Sequence, residues 1–134
     1  MLKINTLIFS AAILGACSSG IQSTPYATTV DDRAVNSVVP ALYLGQQFIV
    51  RLPSKPGTGY HWIPVNEANA ILAQQGESSY QTLQGTVQVS ESPSIETLSF
   101  KTLNKGTQRL RLEYRQPWDI KSAKKEVFYD VTVK

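Results

Sequence analysis

The sequence predicts an all-β fold, an immunoglobulin-like antiparallel β-sandwich with at most one short helical turn. Three observations carry that expectation. Apolar and polar residues alternate around Phe48, Val50 and Leu52, around Leu110, Leu112 and Tyr114, and around Val127, Tyr129, Val131 and Val133, which is the period of strands with one buried face. Turn-forming Gly, Asn and Pro residues separate the apolar runs at short intervals. Helical signal is confined to Ala68 to Gln75, flanked by Asn66 and Gly76. Many short strands with little helix point to two packed sheets.

The first residues are set apart from this fold. Met1-Leu2-Lys3 is a basic start, Ile4 to Leu14 is largely apolar, and Leu14-Gly15-Ala16-Cys17 has the form of a bacterial lipobox. Residues 1–16 therefore read as a lipoprotein signal peptide, with Cys17 lipidated as the new N-terminus and anchoring the protein to a membrane. The apolar run is too short to span a bilayer. Ser18 follows the cysteine and resembles outer-membrane sorting in a Gram-negative envelope, giving an expected location on the bacterial cell envelope. Cys17 is the single cysteine, so no disulfide can form within the chain and no multi-cysteine metal site exists. Residues 17–34, rich in Ser and Thr with little periodicity, read as the lipidated cysteine and a flexible tether, and residues 35–134 as one domain.

Within the domain, strands are expected at Leu42 to Leu44 and Phe48 to Leu52, with Gly45-Gln46-Gln47 between them. Tyr60 to Val65 forms the next, closed by Pro64. Tyr80 to Leu83 and Thr86 to Val89 follow, separated by Gln84-Gly85. Ile95 to Leu103 and Thr107 to Arg115 are expected to pair as a hairpin, because Asn104-Lys105-Gly106 suits a tight turn. Val127 to Val133 closes the domain, and there is no internal repeat.

Catalytic equipment is sparse. His61 is the only histidine, which excludes a multi-histidine metal site, and strand alternation sends it to the face opposite Tyr60 and Trp62 as a surface residue. No serine lies in a Gly-x-Ser-x-Gly elbow, and Gly57-Thr58-Gly59 lacks the lysine and helix of a phosphate-binding loop. Glu91 and Glu96 bracket Pro93 in what reads as a solvated loop. The chain carries 13 Lys and Arg against 10 Asp and Glu, a net charge of +3, and removal of residues 1–16 takes away only Lys3. So mild a balance does not argue for nucleic acid, and Lys121 with Lys124 and Lys125 reads as a solvated hairpin. A monomeric binding module without metal or cofactor, presenting loops at one end of a sandwich, is the expectation.

Two stretches suggest which loops. Leu52-Pro53-Ser54-Lys55-Pro56-Gly57-Thr58-Gly59-Tyr60-His61-Trp62 places a proline and two glycines between strand-like flanks, and Tyr114-Arg115-Gln116-Pro117-Trp118 supplies the second tryptophan. A stiff loop loses little entropy on binding. Taken alone, the first stretch is equally a turn whose tryptophan packs in the core; the second Pro-Trp element is what points to a presented surface.

At these residues the chain resembles the chagasin-type inhibitors of papain-like cysteine peptidases. The first stretch is similar to the family's Asn-Pro-Thr-Thr-Gly-aromatic-x-Trp loop, with Lys55 in the Asn place and Gly57 in the first Thr place; Pro56, Thr58, Gly59, Tyr60 and Trp62 match. Pro117-Trp118 is similar to the family's Arg-Pro-Trp loop, with Gln116 in the arginine place and Arg115 one step earlier. The family's Gly-rich middle loop has no good counterpart in Ser90-Glu91-Ser92-Pro93-Ser94. The resemblance covers about Val38 to Lys134. It implies a non-enzymatic inhibitor whose loops fill the peptidase cleft, with Pro56, Gly57, Thr58, Gly59, Tyr60, Arg115, Pro117 and Trp118 at the interface and Trp62 in the core. An envelope adaptor or structural lipoprotein using the same scaffold for another partner is the alternative, favoured by Gln116 and the missing Gly-rich loop. A sugar-binding sandwich using Trp118 as a stacking platform lacks the aromatic and acidic cluster such sites use.

Overall fold

The computed structural model describes residues 20–65, 71–82 and 93–134. The expected signal peptide, Cys17, Thr86 to Val89, Glu91 and most of the Ser90 to Ser94 stretch lie outside the described residues. Ten strands form two sheets: β1 (Ile21–Ser23), β2 (Ala27–Asp31), β3 (Ser37–Val38), β4 (Gln47–Ser54), β5 (His61–Pro64), β6 (Leu72–Gln74), β7 (Ser79–Thr82), β8 (Ser94–Thr102), β9 (Gly106–Arg115) and β10 (Lys125–Val133). One sheet has the order β1-β2-β4-β8-β6, with β7 also on β8; the other has the order β3-β10-β9-β5.

The alternating segments behave as their period requires. Phe48, Val50 and Leu52 of β4 face Leu98 and Phe100 of β8 in one inner layer, and Leu110, Leu112, Tyr129, Val131 and Val133 form the other; all are essentially buried. Phe48 meets Tyr129 edge-on across the sandwich, ring centroids 5.9 Å apart. Of the helical signal at Ala68 to Gln75, residues 68–70 lie outside the described residues and the remainder is overridden: Leu72–Gln74 is strand β6, paired with Phe100 to Thr102. Leu72 buries in the core, and the ladder on β8 satisfies its backbone where an isolated turn would not. Helix among the described residues is limited to three single 3-10 turns.

Three features depart from expectation. The sheets are mixed, because β2 runs parallel to β4 and β3 parallel to β10. Ile95 to Leu103 and Thr107 to Arg115 do not pair as a hairpin: β8 pairs with β4, β6 and β7, whereas β9 pairs with β10 and β5. β8 buries one whole face and β9 buries Leu110 and Leu112 on the opposite side of the core, so Asn104-Lys105-Gly106 carries the chain from sheet to sheet instead of folding it back within one. Leu42 to Leu44 contributes a single bridge, Leu42 to Val133, in place of a strand.

A further departure concerns residues 20–34, expected to belong to a flexible tether. Ala27–Asp31 is a strand paired residue for residue with Gln47 to Arg51, and Ile21–Ser23 covers its outer edge. Thr28 and Val30 point inward and are buried, and Ala34 joins the same core. The Asp31 carboxyl accepts from Arg33 N–H at 2.9 Å and pairs with the Arg33 guanidinium at 2.7 Å, closing the turn after β2. The Thr28-Thr29-Val30 run was the available signal, since β-branched residues favour strands.

Two predictions follow from this packing. Val30→Ala lowers unfolding free energy by about 2 kcal/mol in urea titration, an effect that a tether residue would not show. Tyr129 is fully buried and donates to the Asp31 carbonyl at 3.0 Å; burial first, then the nearby charges of Asp31 and Asp32, raise its pKa well above the ordinary tyrosine value. The folded state thus keeps a proton that the unfolded chain releases near pH ~10. Stability is flat below that pH and falls as pH rises beyond it, and Tyr129→Phe shallows that alkaline decline while losing the hydrogen bond.

Candidate functional site

Strand register brings the ends of β4, β7 and β9 and the starts of β5 and β8 to one end of the sandwich. Ser54, the last residue of β4, lies opposite Ser94, the first of β8, and Thr82, the last of β7, lies opposite the same residue. His61 at the start of β5 pairs with Arg115 at the end of β9. Residues 55–60 and 116–124 therefore both leave from this end.

The first loop is stiffened by its own hydrogen bonds. Pro56–Thr58 forms a 3-10 turn with Pro56 at its start, and Gly59 closes it at φ 85°, in the left-handed region. Gly59 N–H donates to Pro56 O at 3.0 Å, and the Thr58 hydroxyl donates to Lys55 O at 2.6 Å. Lys55 N–H reaches the Tyr114 hydroxyl at 2.9 Å, which fixes the loop to β9. A side chain at residue 59 would be strained by φ alone. It would also collide with the second loop, because a Cβ there would sit 2.9 Å from Trp118 Cη2.

That contact joins the two matched stretches. Trp118 is 73% exposed, yet its ring edge lies on Gly59, and the Gln116 amide reaches Thr58 O at 3.5 Å. The second loop has internal braces of its own. Ser122 Oγ accepts from Gln116 N–H at 2.8 Å and donates to Asp119 O at 2.7 Å, and the Asp119 carboxyl caps the turn at Ile120–Ser122 through Lys121 N–H. Arg115, expected at the interface, folds back: its guanidinium donates to the carbonyls of Gln116 and Pro117 and pairs with Glu113 at 3.3 Å. Only 16% of its side chain is exposed, so it braces the Pro117 turn.

Behind the loops stands an aromatic stack. Trp62 is 5% exposed and packs on Tyr114 with centroids 4.9 Å apart, and Tyr60 lies on the other side of Tyr114 at 5.5 Å. Trp62 thus takes the core position expected of it, and Tyr60 sits at the loop base, half-buried, with Lys124 Nζ 4.2 Å above its ring.

Glu96, expected in a solvated loop, is instead completely buried in β8. Its carboxyl accepts the Trp62 N–H at 3.1 and 3.3 Å and a hydrogen bond from Tyr80. A buried carboxyl is tolerable only with such partners. Burial, then the Glu96 charge, holds the Tyr80 phenol protonated well above its ordinary range, and the same hydroxyl meets His61 Nδ1. His61 is half-buried against Tyr80. Nothing in the sequence marked Glu96, Tyr80 and His61 as neighbours, since Tyr80 and Glu96 meet only through the pairing of β7 with β8, and His61 comes from β5 of the other sheet.

This end offers shape and hydrogen bonding. The Thr58 and Ser122 hydroxyls donate to backbone carbonyls, and no cluster of His, Cys, Asp and Glu able to hold a metal occurs among the described residues. The arrangement is a convex edge made of Pro56, Gly57, Thr58 and Gly59 beside Pro117 and Trp118.

Comparison with known proteins agrees with this geometry. No curated protein matches the sequence. Among solved structures, the chain is similar to the cysteine protease inhibitor EhICP2 from Entamoeba histolytica, with a TM-score of 0.65 at 18% identity, over 81% of this chain and 96% of that one. It is also similar to Amebosin, with a TM-score of 0.65 at 20% identity over 83% and 100%. PbICP-C, solved in complex with falcipain-2, gives 0.50 at 16% identity over 81% and 99%. At these identities the likeness establishes the shared fold. The family model described as "Chagasin family peptidase inhibitor I42" matches residues 41–133, more than half of the sequence, and the chain therefore belongs to the chagasin family of peptidase inhibitors.

Proposed function

We propose that the protein inhibits papain-like cysteine peptidases by seating Pro56, Gly57, Thr58, Gly59, Pro117 and Trp118 in the substrate cleft, with Tyr60 and Arg115 holding the two loops in shape. The observation that carries this reading is the Gly59–Trp118 contact. It makes one continuous edge from two loops distant in sequence, each already ordered by its own hydrogen bonds. A preformed edge spends little ordering entropy on binding. The glycines allow close backbone approach to a target nucleophile, and the exposed Trp118 ring is the kind of anchor whose burial dominates an interface.

Blocking requires no bond to be made or broken by the inhibitor, so the protein is not an enzyme in this reading. Lipidation of Cys17 after removal of residues 1–16 places it on the cell envelope, in the outer membrane where Ser18 directs it. There it acts as a monomer and meets its peptidase at the membrane surface. Detergent-phase partitioning of the wild type, lost in Cys17→Ala, tests the anchor.

Inhibition of papain, followed with a small fluorogenic substrate, tests the site. Thr58→Arg and Trp118→Ala each weaken inhibition by about 2 kcal/mol or more without altering the far-ultraviolet spectrum. Trp62→Ala behaves differently, lowering stability by roughly 3–5 kcal/mol, with inhibition falling only as the domain unfolds. Papain left fully active by micromolar wild type, or inhibited equally by both loop variants, would overturn the reading in favour of an adaptor.

A further inference from the structure

Beside the first loop lies a groove whose walls include Ser54, Lys55, Tyr60, Tyr114, Lys124 and Lys125. Three lysines line it, and no carboxylate is among its described lining residues. Glu113 and Glu126 sit in a neighbouring depression on the other side of Lys124 and Lys125, where they pair with Arg115 at 3.3 Å and Arg111 at 2.6 Å. The groove therefore keeps a positive potential that favours an anion. Lys124 is also held in place, its Nζ resting on the Tyr60 ring.

Ser54 supplies an independent sign of a missing partner. The residue is 4% exposed, lines the groove, and its Oγ has no hydrogen-bond partner among the described residues. Buried hydroxyls are almost always paired, and one left unpaired costs stability until an acceptor arrives.

We infer that this groove is a subsite for a carboxylate side chain on the rim of the target peptidase's cleft, held by the Lys55 and Lys124 ammonium groups and the Ser54 hydroxyl. The inference rests on the inhibitor reading and adds to it a selection among peptidases, since a target with an acidic rim is favoured over one with a basic rim. A carboxylate there accepts charge-assisted hydrogen bonds from both lysines, of which Lys124 is already positioned on the Tyr60 ring. Charges at an interface rim act chiefly on the rate of encounter.

The experiment uses the full chain in detergent, papain, and a papain variant with glutamates replacing exposed residues around its cleft. Progress curves at several salt concentrations give association and dissociation rates. Wild type associates with the acid-rimmed form about tenfold faster than with papain at low salt, and added salt erases the difference. Lys55→Glu combined with Lys124→Glu removes the preference, and Ser54→Ala speeds dissociation from the acid-rimmed form several-fold while leaving that from papain unchanged. Equal association of wild type and double variant with both forms at every salt concentration overturns the subsite and leaves the inhibitor reading standing. Failure of wild type to inhibit either form overturns both.

Discussion

The binding end of this molecule depends on how Trp62 is held. Its ring packs on Tyr114 of β9, its indole N–H donates to Pro53 O of β4 at 2.9 Å, and its backbone N–H donates to the buried Glu96 of β8. One residue thus ties together the ends of three strands in two sheets, at the points from which the loops depart. Tyr114 passes the constraint outward, since its hydroxyl accepts the Lys55 N–H and its ring backs Tyr60. The positions of Pro56 to Gly59 follow from core packing a few ångströms below them.

The buried carboxyl of Glu96 makes that arrangement specific. An apolar residue would remove the desolvation cost of Glu96, but would leave the Trp62 N–H and the Tyr80 hydroxyl short of an acceptor. The register of β5 against β9 fixes where the first loop ends, and a slip by one residue would turn Trp62 outward and His61 inward. Glu96 opposes the slip, because only one N–H of β5 can reach it. A polar group here sets register in exchange for some stability, as buried polar groups do where uniqueness matters more than strength.

How much of this was legible in the sequence depended on whether the signal was local. Phe48, Val50, Leu52, Leu110, Leu112 and Val131 announced their buried faces by alternation, and Pro56 with Gly59 announced a turn, because each is a property of a few adjacent residues. The pairing of strands was not local. Asn104-Lys105-Gly106 has hairpin chemistry, yet joins strands of different sheets, since β8 pairs with β4 and β9 with β10, and the buried residues of the two strands meet across the core. β2 was missed because its parallel partner, β4, lies about a strand and a turn further along the chain, and a five-residue strand has little periodicity to show. Glu96 looked solvated because charge suggests exposure, and only Trp62 and Tyr80, from other strands, reverse that.

The two loops owe their rigidity to a division of labour among their polar groups. The Thr58 hydroxyl is spent on Lys55 O, the Ser122 hydroxyl on Asp119 O, and the Arg115 guanidinium on two carbonyls and a carboxylate. Little hydrogen-bonding capacity is left pointing outward from the edge itself, which consists of Pro, Gly and the Trp118 ring. Such a surface suits binding by shape and by displacement of water more than by directional bonds, which is what the proposed seating in a cleft requires. Gln116 fits the same logic. An arginine at that place would carry a charge needing a partner, whereas the glutamine amide is neutral and its reach to Thr58 O stays within the molecule. The glutamine thereby adds a link between the two loops.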